Sequence, residues 1–279
     1  MGKIFDAMEK FEAERSSVIK VNDHRPHPEP AATVKQPAFS NIGPVQWSNK
    51  KFDRNLVAYH DPSSHEAEQF KILRTTLMFP ASGKPARTIM VTSALPGEGK
   101  SFVAANLAVS MAQDINKHVL LIDGDIRSPR LHRIFGFSNV SGLSEHLSKA
   151  IPLSSLILKT MVEKLSLLPG GAPPHNPAEL LSSESMSHLI RDARERYSDR
   201  YIVLDSPPPR MTAESAAMAR QVDGVIVVIN SDSTPKKLVE ELVAHLGREK
   251  ILGVVMNRFE THRSMYYGYG KYGAYGDKK

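Results

Sequence analysis

The chain has 279 residues, no cysteine and a formal net charge of +6. This length suits one large domain with an extension, and no stretch approaches the ~20 consecutive apolar residues that a membrane-spanning helix needs. The basic side chains are scattered rather than packed into one tract, so charge indicates no nucleic-acid partner and we expect none.

The N-terminal region contains two segments of different composition. Residues 3–15 carry apolar side chains at helical spacing among acidic ones, which predicts a short amphipathic helix within residues 1–20 and is not typical of a signal peptide. Residues 21–55 are polar and contain several prolines, and such a segment buries too little apolar surface to offset the entropy of ordering it. We therefore predict a disordered linker at 21–55. Because the N-terminus is not typical of a signal peptide, we expect a cytoplasmic protein.

The segment at residues 63–79 has the pattern of an amphipathic helix. Ser63 or Ser64 is placed to cap its N-terminus. Its apolar stripe consists of Phe70, Leu73 and Leu77. A neighbouring polar face carries a charged side chain at every third position, namely Glu68, Lys71 and Arg74.

From residue 88 onward, short apolar strands alternate with amphipathic helices. The strands are predicted at 88–93, 118–123, 164–168, 201–205, 224–230 and 251–256. They are apolar without strict alternation, as expected when both faces of a strand are covered. This order predicts an α/β domain, at residues 56–260, whose parallel sheet is flanked by helices on both faces.

Residues 94–101 read A-L-P-G-E-G-K-S and lie between a predicted strand and a predicted helix, which is the context of a phosphate-binding P-loop. Gly97 and Gly99 allow positive φ angles and a close approach of the backbone to phosphate. Backbone N–H groups and the helix N-terminus then face the negative charge. Lys100 can reach the β- and γ-phosphates, and Ser101 offers a hydroxyl to Mg²⁺.

Two other predicted strands end in aspartate. Asp123 ends the strand in V-L-L-I-D-G-D-I-R, with Asp125 two residues later, and Asp205 ends the strand in Y-I-V-L-D. In open parallel sheets the carboxyl ends of the strands line the ligand crevice. A carboxylate beside Mg-ATP can hold the metal or accept the proton of an incoming hydroxyl. Together with the P-loop, these residues predict a nucleoside triphosphate site.

The C-terminal segment, residues 261–279, has low sequence complexity and is predicted to be a flexible tail. It holds five of the eight tyrosines of the chain, several of them separated by glycine. These are Tyr266, Tyr267, Tyr269, Tyr272 and Tyr275.

Three motifs of this chain resemble those of the bacterial tyrosine kinases. They are A-L-P-G-E-G-K-S at 94–101, L-L-I-D-G-D-I-R-S-P at 120–129 and I-V-L-D-S-P-P at 202–208. The resemblance covers roughly residues 60–279. It implies a P-loop fold related to the partition ATPases, and the activity of a protein-tyrosine autokinase that uses ATP and Mg²⁺.

The resemblance also implies residue roles. Asp123 activates the acceptor hydroxyl, and the catalytic set is Lys100, Asp123, Asp125 and Asp205. The implied metal ligands are Ser101, Asp123, Asp125 and Asp205. The implied nucleotide contacts are Pro96, Gly97, Glu98, Gly99, Lys100, Ser101, Phe102, Arg127 and Asn257. The five tail tyrosines are the implied acceptors, presented in trans to a neighbouring subunit.

Partners are implied by the same resemblance. The family self-associates through a helix with the motif Glu-x-x-Arg-x-x-Arg, which reads Glu68-x-x-Lys71-x-x-Arg74 here, so we expect a homo-oligomer. The change from arginine to lysine loses a planar, fork-shaped donor. Family members also work with a membrane-anchored chain-length or co-polymerase protein. Such a partner is expected to recruit this chain to the inner face of the cell membrane, where the kinase regulates exopolysaccharide polymerisation and export.

Two other functions fit the same motifs. A partition or cell-division ATPase of this fold carries a second lysine early in the phosphate loop, and Leu95 occupies that position here. A nucleotide-sensing interaction module without kinase activity would use the Tyr/Gly-rich tail only as a self-associating segment.

Overall fold

The structure is a computed structural model that describes residues 51–195, 199–207 and 213–259. The predicted helix at 1–20, the linker up to residue 50 and the tail at 261–279 therefore lie outside the described residues. The helices are α1 Val57–His60, α2 His65–Met78, α3 Lys100–Ala112, α4 Leu131–Ile134, α5 Leu143–Lys149, α6 Leu153–Leu156, α7 Pro177–Leu181, α8 Glu184–Glu195, α9 Ala213–Gln221 and α10 Lys236–Leu246. The strands are β1 Thr88–Ser93, β2 His118–Asp123, β3 Leu158–Lys159, β4 Leu165–Leu168, β5 Arg200–Asp205, β6 Gly224–Asn230 and β7 Ile251–Asn257.

The strands of the described region form one sheet in the order β3-β4-β2-β5-β1-β6-β7. All neighbouring pairs are parallel except β3 and β4. The predicted parallel α/β fold is therefore confirmed, with the addition of an antiparallel edge strand. The two residues of β3 are too few to produce a readable pattern, which explains why the sequence did not predict this strand.

Two apolar cores lie on opposite faces of the sheet. One contains α2 and α3, and the other contains α7, α8 and α10. Every residue of α3 from Val103 to Ala112 is buried, so this helix is enclosed on all sides. Such packing fixes the N-terminal end of α3, and with it the loop between β1 and α3.

Helix α2 begins close to its predicted position. Ser64 is the cap, and its hydroxyl accepts a hydrogen bond from the Ala67 N–H at 3.1 Å. Phe70 and Leu77 of the predicted apolar stripe are buried. The predicted amphipathic pattern is thereby confirmed, with Glu68 and Lys71 on the outer side of the helix and Arg74 directed toward α3.

The last residues of the predicted linker pack against the domain. Phe52 is buried, and its ring contacts that of Phe135 at 5.3 Å between centroids. The N–H of Asp53 also donates to the Ile134 carbonyl at 2.9 Å. Folded structure therefore begins before residue 56, because Phe52 supplies apolar area that its polar neighbours lack. No helix in the described part of the chain is both long and apolar enough to span a membrane.

Candidate active site

The loop between β1 and α3 has the backbone shape of a phosphate cradle. Gly97 and Gly99 have φ angles of +83° and +96°, values that residues with a side chain rarely adopt. A Cβ at Gly99 would also collide with the amide of Asn257. Both glycines of the predicted P-loop are thus required by the conformation, and their loop opens α3 as predicted.

Asp123 and Asp205 lie side by side at the carboxyl ends of β2 and β5, where they are register partners. Both are fully buried. One oxygen of Asp123, Oδ2, accepts the N–H groups of Arg130 and Leu131, each at 2.9 Å. The other oxygen of Asp123 and both oxygens of Asp205 have no hydrogen-bond partner among the described residues. Three buried oxygens are therefore left to interact with a cation or a hydroxyl.

Burial shapes the ionisation of this carboxylate pair. Loss of solvation is the main cause that raises the pKa of Asp205 to about 6, and the nearby Lys100 charge opposes the rise. Burial, followed by repulsion from Asp205, also raises the pKa of Asp123 well above its usual value, although two backbone N–H groups oppose this. A carboxylate with a raised pKa is a stronger base, which suits a proton acceptor.

Lys100 already has a carboxylate partner. Its Nζ lies 2.9 Å from Oδ2 of Asp125, and only 12% and 9% of the two side chains are exposed. A triphosphate in the loop has to share or replace this ion pair. The geometry therefore joins Asp125 to the loop through Lys100.

A cleft of about 1100 Å³ lies against the P-loop. Several predicted residues line it, namely Gly97, Gly99, Lys100, Ser101, Phe102 and Arg127. Asp123, Asp125 and Asp205 do not line it, because they are buried next to lining residues such as Lys100 and Arg130. The lining of the cleft is mainly basic, although Asp53 and Glu145 also line it, and the three aspartates are buried beside it.

Several basic residues of this cleft were not predicted from the sequence: Arg130, His132, Arg133 and Arg258. The repeated spacing of Arg127, Arg130 and Arg133 was the readable signal for three cations on one side of a site. Arg258 had no such signal, since it comes from the far end of the domain.

The comparisons with known proteins agree with this geometry. The family model "ParA: NUBPL iron-transfer P-loop NTPase" matches residues 84–264. The tyrosine-protein kinase YwqD of Bacillus subtilis is 36% identical over 221 residues, which cover 78% of this chain and 92% of YwqD. The chain belongs to the bacterial tyrosine kinases.

Solved structures of bacterial tyrosine kinases are also similar. The chimerical protein CapA2B2 has a TM-score of 0.68 and 34% identity, over 78% of this chain and 95% of that one. The kinase domain of the Escherichia coli tyrosine kinase ETK has a TM-score of 0.68 and 29% identity, over 76% of this chain and 84% of that one. The resemblance read from the motifs, the fold class and the enzyme class are thereby confirmed.

In this bacterial tyrosine kinase, two predicted nucleotide contacts have other partners. Asn257 Nδ2 donates to the Glu98 carbonyl at 2.8 Å, so this amide holds the P-loop backbone. The Glu98 side chain is buried and does not line the cleft. A contact between Asn257 and the nucleotide remains a prediction.

The kinase site fits a magnesium ion that phosphate and water help to coordinate. No three or more His, Cys, Asp and Glu side chains in the described ranges are grouped so that they could hold a metal by themselves. Mg²⁺ in phosphate sites usually needs only one or two carboxylates. The unpaired oxygens of Asp123 and Asp205 meet that smaller requirement. The larger ligand set of Ser101, Asp123, Asp125 and Asp205 remains a prediction.

The predicted self-association residues do not act alike. Glu68 and Lys71 form an ion pair at 3.0 Å on the outer side of α2. Arg74 instead donates from Nη1 to the Ser110 carbonyl of α3 at 2.9 Å. Arg74 therefore helps to attach α2 to α3, and a role in self-association remains a prediction for all three.

Proposed function

We propose that this kinase transfers the γ-phosphoryl group of ATP to the tyrosines of its C-terminal tail, in trans between subunits. The observation that carries the proposal is the pair of buried aspartates beside the P-loop, three of whose oxygens have no partner among the described residues. An unpaired carboxylate next to a phosphate cradle is placed to hold Mg²⁺ or to take a proton. The proposed acceptors, Tyr266, Tyr267, Tyr269, Tyr272 and Tyr275, lie outside the described residues.

The proposed step divides the work among few residues. The acceptor tyrosine oxygen bonds to the γ-phosphorus while the bond from that phosphorus to the bridging oxygen breaks, and ADP leaves. The proton of the tyrosine hydroxyl passes to Oδ1 of Asp123. Lys100 and the loop N–H groups neutralise phosphate charge. Ser101 and Asp205 would hold Mg²⁺, which would add further charge neutralisation. Because the carboxylates are buried, this step requires local movement of the cleft lining.

Transfer between subunits agrees with the properties of a tail attached to a self-associating domain. A tail that reaches a neighbouring subunit raises the effective concentration of acceptors near the site of that subunit. Each phosphate adds close to two negative charges, so several of them repel one another and separate the subunits. We propose that this cycle, with a separate membrane-anchored co-polymerase protein as partner, regulates exopolysaccharide polymerisation and export from the cytoplasmic side of the membrane.

A mixing experiment tests the assignment. One chain carries Lys100→Met and an intact tail, and an isotopically labelled second chain has an intact P-loop and phenylalanine at the five tail positions. We expect mass spectrometry to find phosphotyrosine on the Lys100→Met chain only when both chains and Mg-ATP are present. Thermal unfolding verifies that the Lys100→Met chain is folded. Calorimetry verifies that the variant with phenylalanine at the five tail positions still binds ATP.

Other outcomes would contradict specific parts of the proposed function. A wild-type chain that modifies itself but never modifies the Lys100→Met chain would contradict transfer in trans. Phosphate mainly on Tyr59, whose side chain is 39% exposed, would contradict the tail assignment. Release of phosphate without any phosphotyrosine would favour an ATPase of the partition or division type.

A further inference from the structure

Glu98 is an unexpected residue in a phosphate cradle. A carboxylate next to a triphosphate is repelled by it, yet Glu98 lies between the two glycines that shape the loop. Only 3% of Glu98 is exposed, and the cleft is lined by its neighbours rather than by its own side chain. The carboxylate thus points into the protein, away from the phosphate position.

Both oxygens of the Glu98 side chain have partners inside the protein. Oε2 accepts the N–H of Leu95, at the start of the same loop, at 2.7 Å. Oε1 accepts the hydroxyl of Thr234, in the turn between β6 and α10. That hydroxyl in turn accepts the N–H of Asn230, at the end of β6, at 2.9 Å. The chain of contacts connects the loop to a strand end more than a hundred residues away.

The backbone of the loop is held from the same side. The Glu98 carbonyl accepts a hydrogen bond from the Asn257 amide at 2.8 Å. The Gly97 carbonyl accepts one from Nη2 of Arg258 at 3.1 Å. The carboxyl ends of β6 and β7 therefore support one side of the P-loop, whereas Asp123 and Asp205 lie at the ends of β2 and β5.

We propose that Glu98 is a positioning residue whose bond to Thr234 holds the P-loop in the shape that binds phosphate. The loop needs this support because glycine has more backbone freedom than other residues, and ordering it upon binding weakens affinity. A loop ordered in advance keeps its N–H groups aimed at the phosphates. The proposal deepens the proposed kinase function, since it concerns ATP binding at the same site.

Variants of the full chain test the bond through affinity for Mg²⁺ and a non-hydrolysable ATP analogue, measured by calorimetry. We expect Thr234→Val to raise the dissociation constant roughly tenfold, as is typical when a hydrogen bond to a charged group is lost. Thr234→Ser keeps the hydroxyl and should restore most of the affinity. Ser233→Ala is the matched control, because Ser233 is an exposed hydroxyl residue of the same turn.

A double-mutant cycle separates this bond from general disruption. Glu98→Ala removes the contacts to both Leu95 and Thr234, so it should weaken binding more than Thr234→Val does. If the two residues act through one bond, adding Thr234→Val to Glu98→Ala has little further effect on the dissociation constant for the ATP analogue. In phosphorylation assays, the Michaelis constant for ATP should rise for Thr234→Val while kcat changes little, because Lys100 and Asp123 are unaltered. Thermal unfolding verifies that each variant is folded.

Three results would overturn the proposal: unchanged affinity in folded Thr234→Val, an equal loss in Thr234→Ser, or effects that multiply in the double variant. If Glu98→Ala does not fold, the comparison of Thr234→Val with Thr234→Ser decides. These measurements need no phosphotyrosine, so a chain that binds ATP and responds to Thr234→Val without modifying tyrosine would contradict only the proposed function. A wild-type chain that binds no nucleotide would contradict both.

Discussion

At the residue scale, the two buried carboxylates, Asp123 and Asp205, are ionisable groups that lie among mainly apolar residues. Asp205 is surrounded by buried strand residues, and its oxygens have no hydrogen-bond partner among the described residues. Lys100 and the Ser101 hydroxyl offset the burial of this charge only in part. Burying an ionised carboxylate in this way destabilises a fold, and proteins retain such groups mainly where function needs them. The ligand-free kinase is therefore less stable at neutral pH than it would be with a neutral side chain at this position.

The pH dependence of stability should reveal the destabilising effect of the buried Asp205 charge. The pKa of Asp205 is near 6 in the folded chain against a usual value of 3.8, so the folded state binds the proton more tightly than the unfolded state. Stability is then lost as the pH rises through this window. We expect Asp205→Asn to raise the free energy of unfolding by about 3 kcal/mol at neutral pH, and by much less near pH 4.

Urea denaturation at the two pH values measures the difference. The matched control is Asp192→Asn, because Asp192 is an exposed carboxylate on α8. A gain for Asp205→Asn that is equal at both pH values would indicate a change in packing rather than in charge.

At the element scale, Asp223 connects elements that are distant in the sequence. Its Oδ2 accepts the N–H groups of Arg87 and Thr88 at 2.9 and 3.0 Å, at the start of β1. Its Oδ1 forms an ion pair with Arg194 of α8 at 3.0 Å. Because Asp223 immediately precedes β6, it aligns the starts of β1 and β6. The P-loop follows the opposite end of β1, so this alignment also supports the site.

Removal of this connection should destabilise the domain. Burial opposes ionisation of Asp223, but the backbone N–H groups outweigh it and lower the pKa below 3.8, so the stabilisation is present above that pH and is lost below it. We expect Asp223→Ala to lower the free energy of unfolding by about 3 kcal/mol at neutral pH. Urea denaturation at neutral pH and near pH 3 measures this loss, which should shrink in acid.

The control for this variant is Asp232→Ala, since Asp232 is an exposed residue in the turn after β6. A loss of stability for Asp223→Ala that is independent of pH would mean that the charge of Asp223 has no part in the connection.

At the scale of the whole molecule, the predicted self-association can be tested on the outer side of α2. Glu68 and Lys71 pair with each other on the outer side, whereas Arg74 is bound to α3. We expect the double variant Glu68→Ala with Lys71→Ala to form smaller assemblies with little change in stability, because exposed ion pairs contribute little to folding. Analytical ultracentrifugation with Mg²⁺ and an ATP analogue measures assembly size.

Helix α10 offers a matched control for that variant. Lys236 and Glu240 form a comparable exposed ion pair at 3.5 Å on the other face of the sheet. Replacing both with alanine should leave assembly size unchanged. An unchanged size for the α2 variant as well would make its charged face an ordinary solvated surface. Arg74→Ala is a poorer test, since it also breaks a contact between α2 and α3.

Features that short segments encode could be predicted from the amino-acid sequence. The strands of the central sheet, the Ser64 cap and the glycines at 97 and 99 follow from local spacing, because backbone conformation depends mainly on neighbouring residues. The partners of Lys100, Arg74 and Glu98 could not be predicted in this way, because they depend on the folded arrangement of distant segments. Those partners meet because the order of the sheet brings strand ends together, and no local pattern records that order. The same reason explains why Asn257, which the resemblance assigned to the nucleotide, is bound to the backbone of the loop.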